Sequence, residues 1–334
     1  MAPQAVLAGE GVSEGRETRI VDLRDLRAGD LDPLLREQTE EWAHELDWDF
    51  SKSADLLRQL FDARELAGLA LLDGRDIAGF AYCGFSSGKA HVGDVYVPPP
   101  WRNGNAETVL FQALFNVLMD APGVERIEAQ LMLARQVQPP DRDCRIGSFE
   151  RLFMTRDAAP SLPPGNASNT SRFRFEPWED RHSEAAAFAL WQAHAGHVDA
   201  QISDQYRTLA ASSRFIQELV RFPGCASFCP SASYVAFENA TGHPAGISLI
   251  SFVAPGIAHL AELCVTPEFR GAGLGYELLR QSSAALADAG AQRISLTVTA
   301  GNDDALRLYR RCGFRQTRRF YAYAWDRSAR PAFS

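Results

Sequence analysis

Between residues 233 and 326 the apolar positions change rhythm in a fixed order. Apolar-rich runs at 233–238 and 245–252 flank the turn Asn239-Ala-Thr-Gly-His-Pro244 and predict a pair of strands. Next come a predicted strand over 259–265, a helix over 273–288, a strand over 293–299 and a short helix over 303–311. One or two strands over 314–326 close the series, and two helices over 183–196 and 205–221 precede it. Strands and helices alternate without a run of identical strand–helix–strand units. That order predicts an α/β fold of the α+β kind, built on a mixed sheet.

The first half carries the same rhythm. Strands are predicted over 66–72 and 77–85 around Asp73-Gly74, then a strand over 91–97, a helix over 106–119 and a strand over 126–131. Val97-Pro-Pro-Pro-Trp-Arg102 aligns with Val265-Thr-Pro-Glu-Phe-Arg270 at an offset of 168 residues, and Arg126-Ile127 with Arg293-Ile294 at 167. The chain therefore reads as a duplicated domain. Asp157-Ala-Ala-Pro-Ser-Leu-Pro-Pro-Gly-Asn-Ala-Ser-Asn-Thr-Ser171 breaks the apolar period and is expected to be an exposed linker. The expected division is a flexible tail over 1–18, a first domain over 19–157, a linker over 158–171 and a second domain over 172–334.

Composition narrows the function classes. The 334 residues suit two domains better than one core. A formal net charge of −8 argues against a general nucleic-acid binder, so no nucleic-acid partner is expected. No apolar run approaches the roughly 20 residues needed to cross a bilayer, so no membrane partner is expected either. Residues 1–16 lack a basic start and an apolar stretch, which gives no signal peptide. The six scattered cysteines form no paired framework, and a cytoplasmic enzyme with free thiols is the expectation. Cys225 and Cys229 are spaced like two metal ligands, but no second Cys/His pair follows and no metal is expected.

The chemistry concentrates in Arg270-Gly-Ala-Gly-Leu-Gly275, between a predicted strand and a predicted helix. Glycines let successive backbone N–H groups converge, and the helix start adds partial positive charge, so Arg270, Gly271, Ala272, Gly273, Leu274 and Gly275 form a candidate anion nest. A dinucleotide loop needs glycine where Tyr276 stands, and a P-loop needs a Gly-Lys-Ser/Thr ending that is missing. The surviving pattern resembles the Arg-x-x-Gly-x-Gly loop of the GNAT-type N-acetyltransferase superfamily. Val265-x-Pro267, Asn302, Leu308-Tyr309 and Gly313-Phe314 match that family's pattern in the same order, over about the last third of the chain.

The resemblance implies two tandem GNAT-like domains, with acetyl-CoA as co-substrate and the primary amine of a small molecule as acceptor. The strands over 259–265 and 293–299 are then expected to splay, with the backbone at Leu263, Cys264 and Val265 and the side chain of Asn302 facing the cofactor arm. Direct transfer makes Tyr309 the candidate general acid and Glu262 the candidate base, with His259 second; a backbone N–H near Cys264 is assigned to the oxyanion. In the first copy Asn105 and Glu107 replace Gly273 and Gly275, and Gln136-Val-Gln-Pro-Pro-Asp141 forbids the short helix, so this copy is expected neither to bind CoA nor to catalyse. Acceptor choice is assigned to residues 192–207, with His194, His197, Asp199 and Asp204, and to Tyr321 and Tyr323. A catalytically silent acyl-CoA-binding module is the alternative.

Overall fold

The computed structural model describes residues 18–102, 104–134, 137–159, 162–165, 170–221 and 226–328. Residues 1–17 of the tail expected over 1–18, and Cys225, lie outside these residues, while Thr18 already begins a strand. Two compact units emerge, and their borders differ from a single cut at the linker. The first holds the described residues up to Leu46, Phe50–Ser148 and the chain from Phe320 on; the second holds Asp47–Asp49 and Phe149–Arg319.

In the first unit, β1 (Thr18–Asp22), α1 (Asp32–Leu46) and α2 (Ser51–Asp62) lead into β2 (Ala67–Asp73), β3 (Asp76–Ser86) and β4 (Lys89–Tyr96). Helix α3 (Ala106–Asp120) and β5 (Arg126–Leu131) follow. The sheet runs β1-β2-β3-β4-β5, antiparallel except for β4 and β5, which are parallel. A closing strand comes from the chain's end, where Tyr321–Asp326 pair antiparallel with β5. Leu110, Phe111, Leu114, Phe115 and Leu118 recur at helical spacing on α3 and join Val92, Val95, Ile127 and Ala129 in the core.

The second unit opens on β6 (Gly147–Asp157), whose residues from Phe149 belong here. It continues through β7 (Phe173–Pro177), α4 (Ser183–Ala193), the single-turn α5 (Asp199–Ile202), α6 (Leu209–Arg221), β8 (Ser227–Phe228) and β9 (Tyr234–Glu238). Then come β10 (Pro244–Ala254), β11 (Ile257–Val265), α7 (Leu274–Asp288), β12 (Arg293–Thr299), α8 (Asp303–Arg311) and β13 (Arg315–Asp326), whose residues from Phe320 belong to the first unit. The strand order is β6-β12-β11-β10-β9-β7, with only β11 and β12 parallel. Leu279 and Leu286 of α7 and Leu306 and Tyr309 of α8 pack on one sheet face. Ala186, Leu190 and Ile216 of α4 and α6 cover the other.

The two units share a local irregularity. Each parallel pair stays in register for four residues and then stops, after Val92↔Ala129 in one and Leu260↔Leu296 in the other. At that point the strand bulges, passing over Gly93 against β3 and over Ala261 against β10. A bulge adds one residue and re-aims the side chains beyond it. The next residue is a buried carboxylate in both units, Asp94 and Glu262, again 168 positions apart. Among the described residues no helix is long and apolar enough to cross a membrane.

Candidate active site

The glycine loop takes the form its sequence requires. Gly271 and Gly273 both sit at φ +78°, where an L side chain is strained, and a Cβ at either would meet no atom within 4 Å. Gly273 caps α7, whose first bond runs from Glu277 N–H to Gly273 C=O at 3.1 Å. The N–H groups of Leu274, Gly275 and Tyr276 precede it without an intrahelical acceptor, in the positive end of the helix dipole. Gly271, Ala272 and Gly273 line an open cleft of about 510 Å³ with Tyr276, Glu277 and Arg311. Pro163–Gly165 form its opposite wall, held by a 2.8 Å hydrogen bond from Tyr276 Oη to Pro163 O. Arg270 turns elsewhere: its Nη2 donates to Ala193 O (2.6 Å) and its Nε to Val265 O (3.4 Å), tying the loop to the end of α4.

Beyond Leu260 the β12-facing edge of β11 has no strand partner among the described residues, so the backbone from Ala261 to Val265 opens onto a gap. The bulge puts Glu262 and Cys264 on the face covered by α4, away from α7. Glu262 is 6% exposed, and burial drives its carboxyl up to about 8 even though a hydrogen bond from Tyr206 opposes the rise. Tyr206 Oη donates to Glu262 Oε1 at 2.5 Å. Burial likewise raises the Cys264 thiol well above its ordinary value, which leaves a poor nucleophile.

Tyr309 lies across the gap on α8. Asn302 Oδ1 caps this helix by accepting from Ala305 N–H (3.2 Å), and Asp303 and Asp304 fill the first turn. At the other end Gly313 N–H reaches Arg310 O and Phe314 N–H reaches Tyr309 O, both at 3.0 Å, with Gly313 at φ +85°, which is a Schellman stop. Burial first, then the charges of Glu262 and Asp199, hold the phenol proton more tightly than usual. No hydrogen bond engages the Tyr309 hydroxyl among the described residues, so its proton is available.

Residues 194–207 converge on the same place. The Tyr206 ring stacks on His194 at 4.0 Å, and His194 Nδ1 is fixed on Leu190 O at 2.9 Å. His197 Nδ1 accepts from Asp199 N–H (3.2 Å), while its Nε2 faces Asn302 Nδ2 at 3.3 Å. Asp199 accepts from Thr299 Oγ1 and lies 3.1 Å from Arg151 Nη1. Arg151, on β6, also donates to Thr299 Oγ1 (3.0 Å) and Thr297 Oγ1 (3.2 Å), bracing the splayed end of β12. His259 sits lower on β11 between Trp48 and Phe153, with Nδ1 2.9 Å from Ser295 Oγ. Burial lowers it to about 4, so it is a far weaker base than Glu262.

Tyr321 and Tyr323 belong to the first unit. Tyr323 is 1% exposed in the first unit's core and donates to Val137 O at 2.6 Å, while Tyr321 packs against the same core. Their strand pairs with β5. In the first unit's counterpart loop Arg102 donates to Val97 O (2.5 Å) and forms a two-pronged pair with Glu41. Asn105 caps α3 there, Glu107 stands in its first turn, and Ala134 and Val137 fill the core after β5. Gln136 lies outside the described residues. Sequence reasoning singled out neither Tyr206 nor Arg151. Tyr206 lay inside the segment assigned to the acceptor, whereas Arg151 carried no local signal.

Residues 200–314, which take in Tyr206, strands β11 and β12, the loop and the Tyr309 helix, match the acetyltransferase (GNAT) family model. That match lies wholly within the second unit. Over 65 residues, 20% of the chain, the sequence is 34% identical to N-alpha-acetyltransferase MAK3 of Arabidopsis thaliana, a match spanning about a third (34%) of that protein. A GCN5-related N-acetyltransferase from Sphaerobacter thermophilus shares the fold over 97% of this chain and 99% of its own, at 16% identity and a TM-score of 0.62. A tandem GNAT protein from the clavulanic acid biosynthesis pathway does so over 94% and 100%, at 14% and 0.51. At these identities the two structures speak for the fold, a mixed sheet with two GNAT-like halves.

Proposed function

We propose that the GNAT domain of the second unit is an acetyl-CoA-dependent N-acetyltransferase that acts by direct transfer on the primary amine of a small molecule. One observation carries this reading: a buried carboxylate and an unengaged phenol flank the gap between β11 and β12, beside the glycine loop. The residues fit acetyl-CoA. The backbone from Leu263 through Val265 offers an unpaired edge for an extended arm, and the N–H groups around Gly271–Gly275 offer an anion nest with no side chain in the way. Acetyl-CoA supplies the acetyl group as a thioester.

The remaining work falls to the protein's own groups. An alkylammonium of pKa about 10.4 must surrender a proton before its nitrogen can attack. An ordinary glutamate would accept that proton uphill by about 8 kcal/mol; at about 8, Glu262 narrows the gap to about 3 kcal/mol. Tyr309 holds a proton at Oη for the thiol that is released. Its raised affinity makes full transfer to a thiolate of pKa about 8.5 uphill by more than about 2 kcal/mol, so it acts mainly as a hydrogen-bond donor until late in the reaction.

The test pairs acetyl-CoA-induced thermal stabilisation with an amine panel read by thiol release. Tyr309→Phe is expected to keep the stabilisation and lose turnover about 100-fold. Stabilisation without turnover on any amine would instead support a silent acyl-CoA-binding module. Unchanged turnover in Tyr309→Phe would remove Tyr309 from the mechanism.

A further inference from the structure

We infer that Tyr206 is a positioning residue for Glu262: its phenol occupies Oε1 and leaves Oε2 as the one carboxylate atom that takes the acceptor's proton. This rests on the transferase reading above. The 2.5 Å separation is that of a short, strong hydrogen bond from a phenol to a carboxyl oxygen. No other hydrogen bond reaches the Glu262 side chain among the described residues.

The phenol is held from several sides. His194 stacks on its ring, Ser212 Oγ pins the carbonyl of Gln205 (2.7 Å), and Arg207 Nε ties the following residue back to Ala200 O (2.7 Å). The segment that shapes the acceptor pocket thereby also sets the base. The other ionisable groups felt at this point are Asp199 from α5, Arg151 from β6, Cys264 from β11 itself and Tyr309 from α8. Asp199 raises the proton affinity of Glu262 and Arg151 lowers it, and the two are paired with each other, so their effects oppose. Tyr206 is the only direct hydrogen-bond donor in the set.

Infrared pH titration of the full-length protein reads this directly, through the protonated-carboxyl band that Glu262→Gln deletes. The wild-type midpoint is expected near 8. Loss of a hydrogen bond to an ionised group should move it up by about 1–2 pH units in Tyr206→Phe. Incorporating 3-fluorotyrosine at 206 makes the phenol a stronger donor and should move it down. A merely structural phenol would not shift the midpoint in opposite directions. Identical midpoints in the three proteins would overturn the assignment, and if Tyr206→Phe fails to fold, the fluorinated protein decides alone. Because the readout needs no acceptor, the opposite shifts seen together with no turnover on any amine would sink the transferase reading and not the Tyr206–Glu262 coupling. Full turnover in Glu262→Gln would overturn Glu262 as the base.

Discussion

Gly273 and Gly275 look interchangeable in the loop's sequence, yet the structure asks different things of them. Gly273→Ala forces a Cβ onto a backbone at φ +78°, at a cost of about 1–2 kcal/mol, with no neighbour to clash against or to repay it. In a unit of this size that lowers Tm by about 2–8 °C. The new methyl also projects into the open side of the nest, so stabilisation by millimolar acetyl-CoA should shrink. Gly275 lies inside α7, and its Cβ would meet Leu308 Cδ2 at 3.4 Å and Val265 Cγ2 at 3.7 Å, ordinary contact distances. Gly275→Ala therefore replaces a glycine in the helix's first turn at a backbone conformation alanine can adopt, and about 0.4–1 kcal/mol of stability should be gained. Gly273→Asn, which tolerates the left-handed region, should fall between wild type and Gly273→Ala. The assay is thermal unfolding of the three variants with and without acetyl-CoA. Gly273→Ala as stable as wild type, or Gly275→Ala the more damaging of the two, would refute the reasoning.

Two further outcomes follow from the same geometry. A carboxyl raised to about 8 in the folded state from about 4.5 binds more protons folded than unfolded. Its contribution to stability is thus fully present below pH about 4.5 and lost as pH rises through about 8. Glu262→Gln should accordingly gain stability over wild type at pH 8.5 and much less at pH 5, on the order of several kcal/mol between the two; equal differences at both would show that Glu262 is not protonated by burial. A fragment over 172–334 lacks β6, which pairs with β12 along its whole length, from Arg293↔Asp157 to Thr299↔Arg151. It should fail to give a cooperative unfolding transition, and a well-folded fragment with normal acetyl-CoA stabilisation would contradict this.

The parts that could be read from the sequence were those with local causes. The strand–loop–helix around Gly273 and the capped helix around Tyr309 each carry their own start and stop residues, so order and spacing sufficed. Helix α1 was missed although Leu34, Leu35, Gln38, Trp42 and Leu46 line its buried side, because its remaining positions are densely charged. The segment that forms β6 was placed in the first domain because the composition shift begins at Asp157, but Arg151 and Arg156 tie it to the second unit. Both are buried, one against Asp199 and the other on Cys312 O at 3.1 Å, partners distant in sequence. The bulge at Ala261 and the reach of Tyr206 to Glu262 likewise depend on tertiary pairing, which no local period encodes.

The allocation of strands also sets a timetable. The first unit's sheet waits for Tyr321–Asp326, which are synthesised long after β5, and β6 emerges well before its partner β12. Domains usually fold in turn as they leave the ribosome, first half first. Here the first unit stays one strand short until the second unit's strands have been synthesised, with the edge of β5 exposed in the meantime. Both halves then close over contacts of long sequence separation, which are slow to form. Duplication would ordinarily give two independently folding domains; exchanging one strand each way makes completion of either conditional on synthesis of the whole.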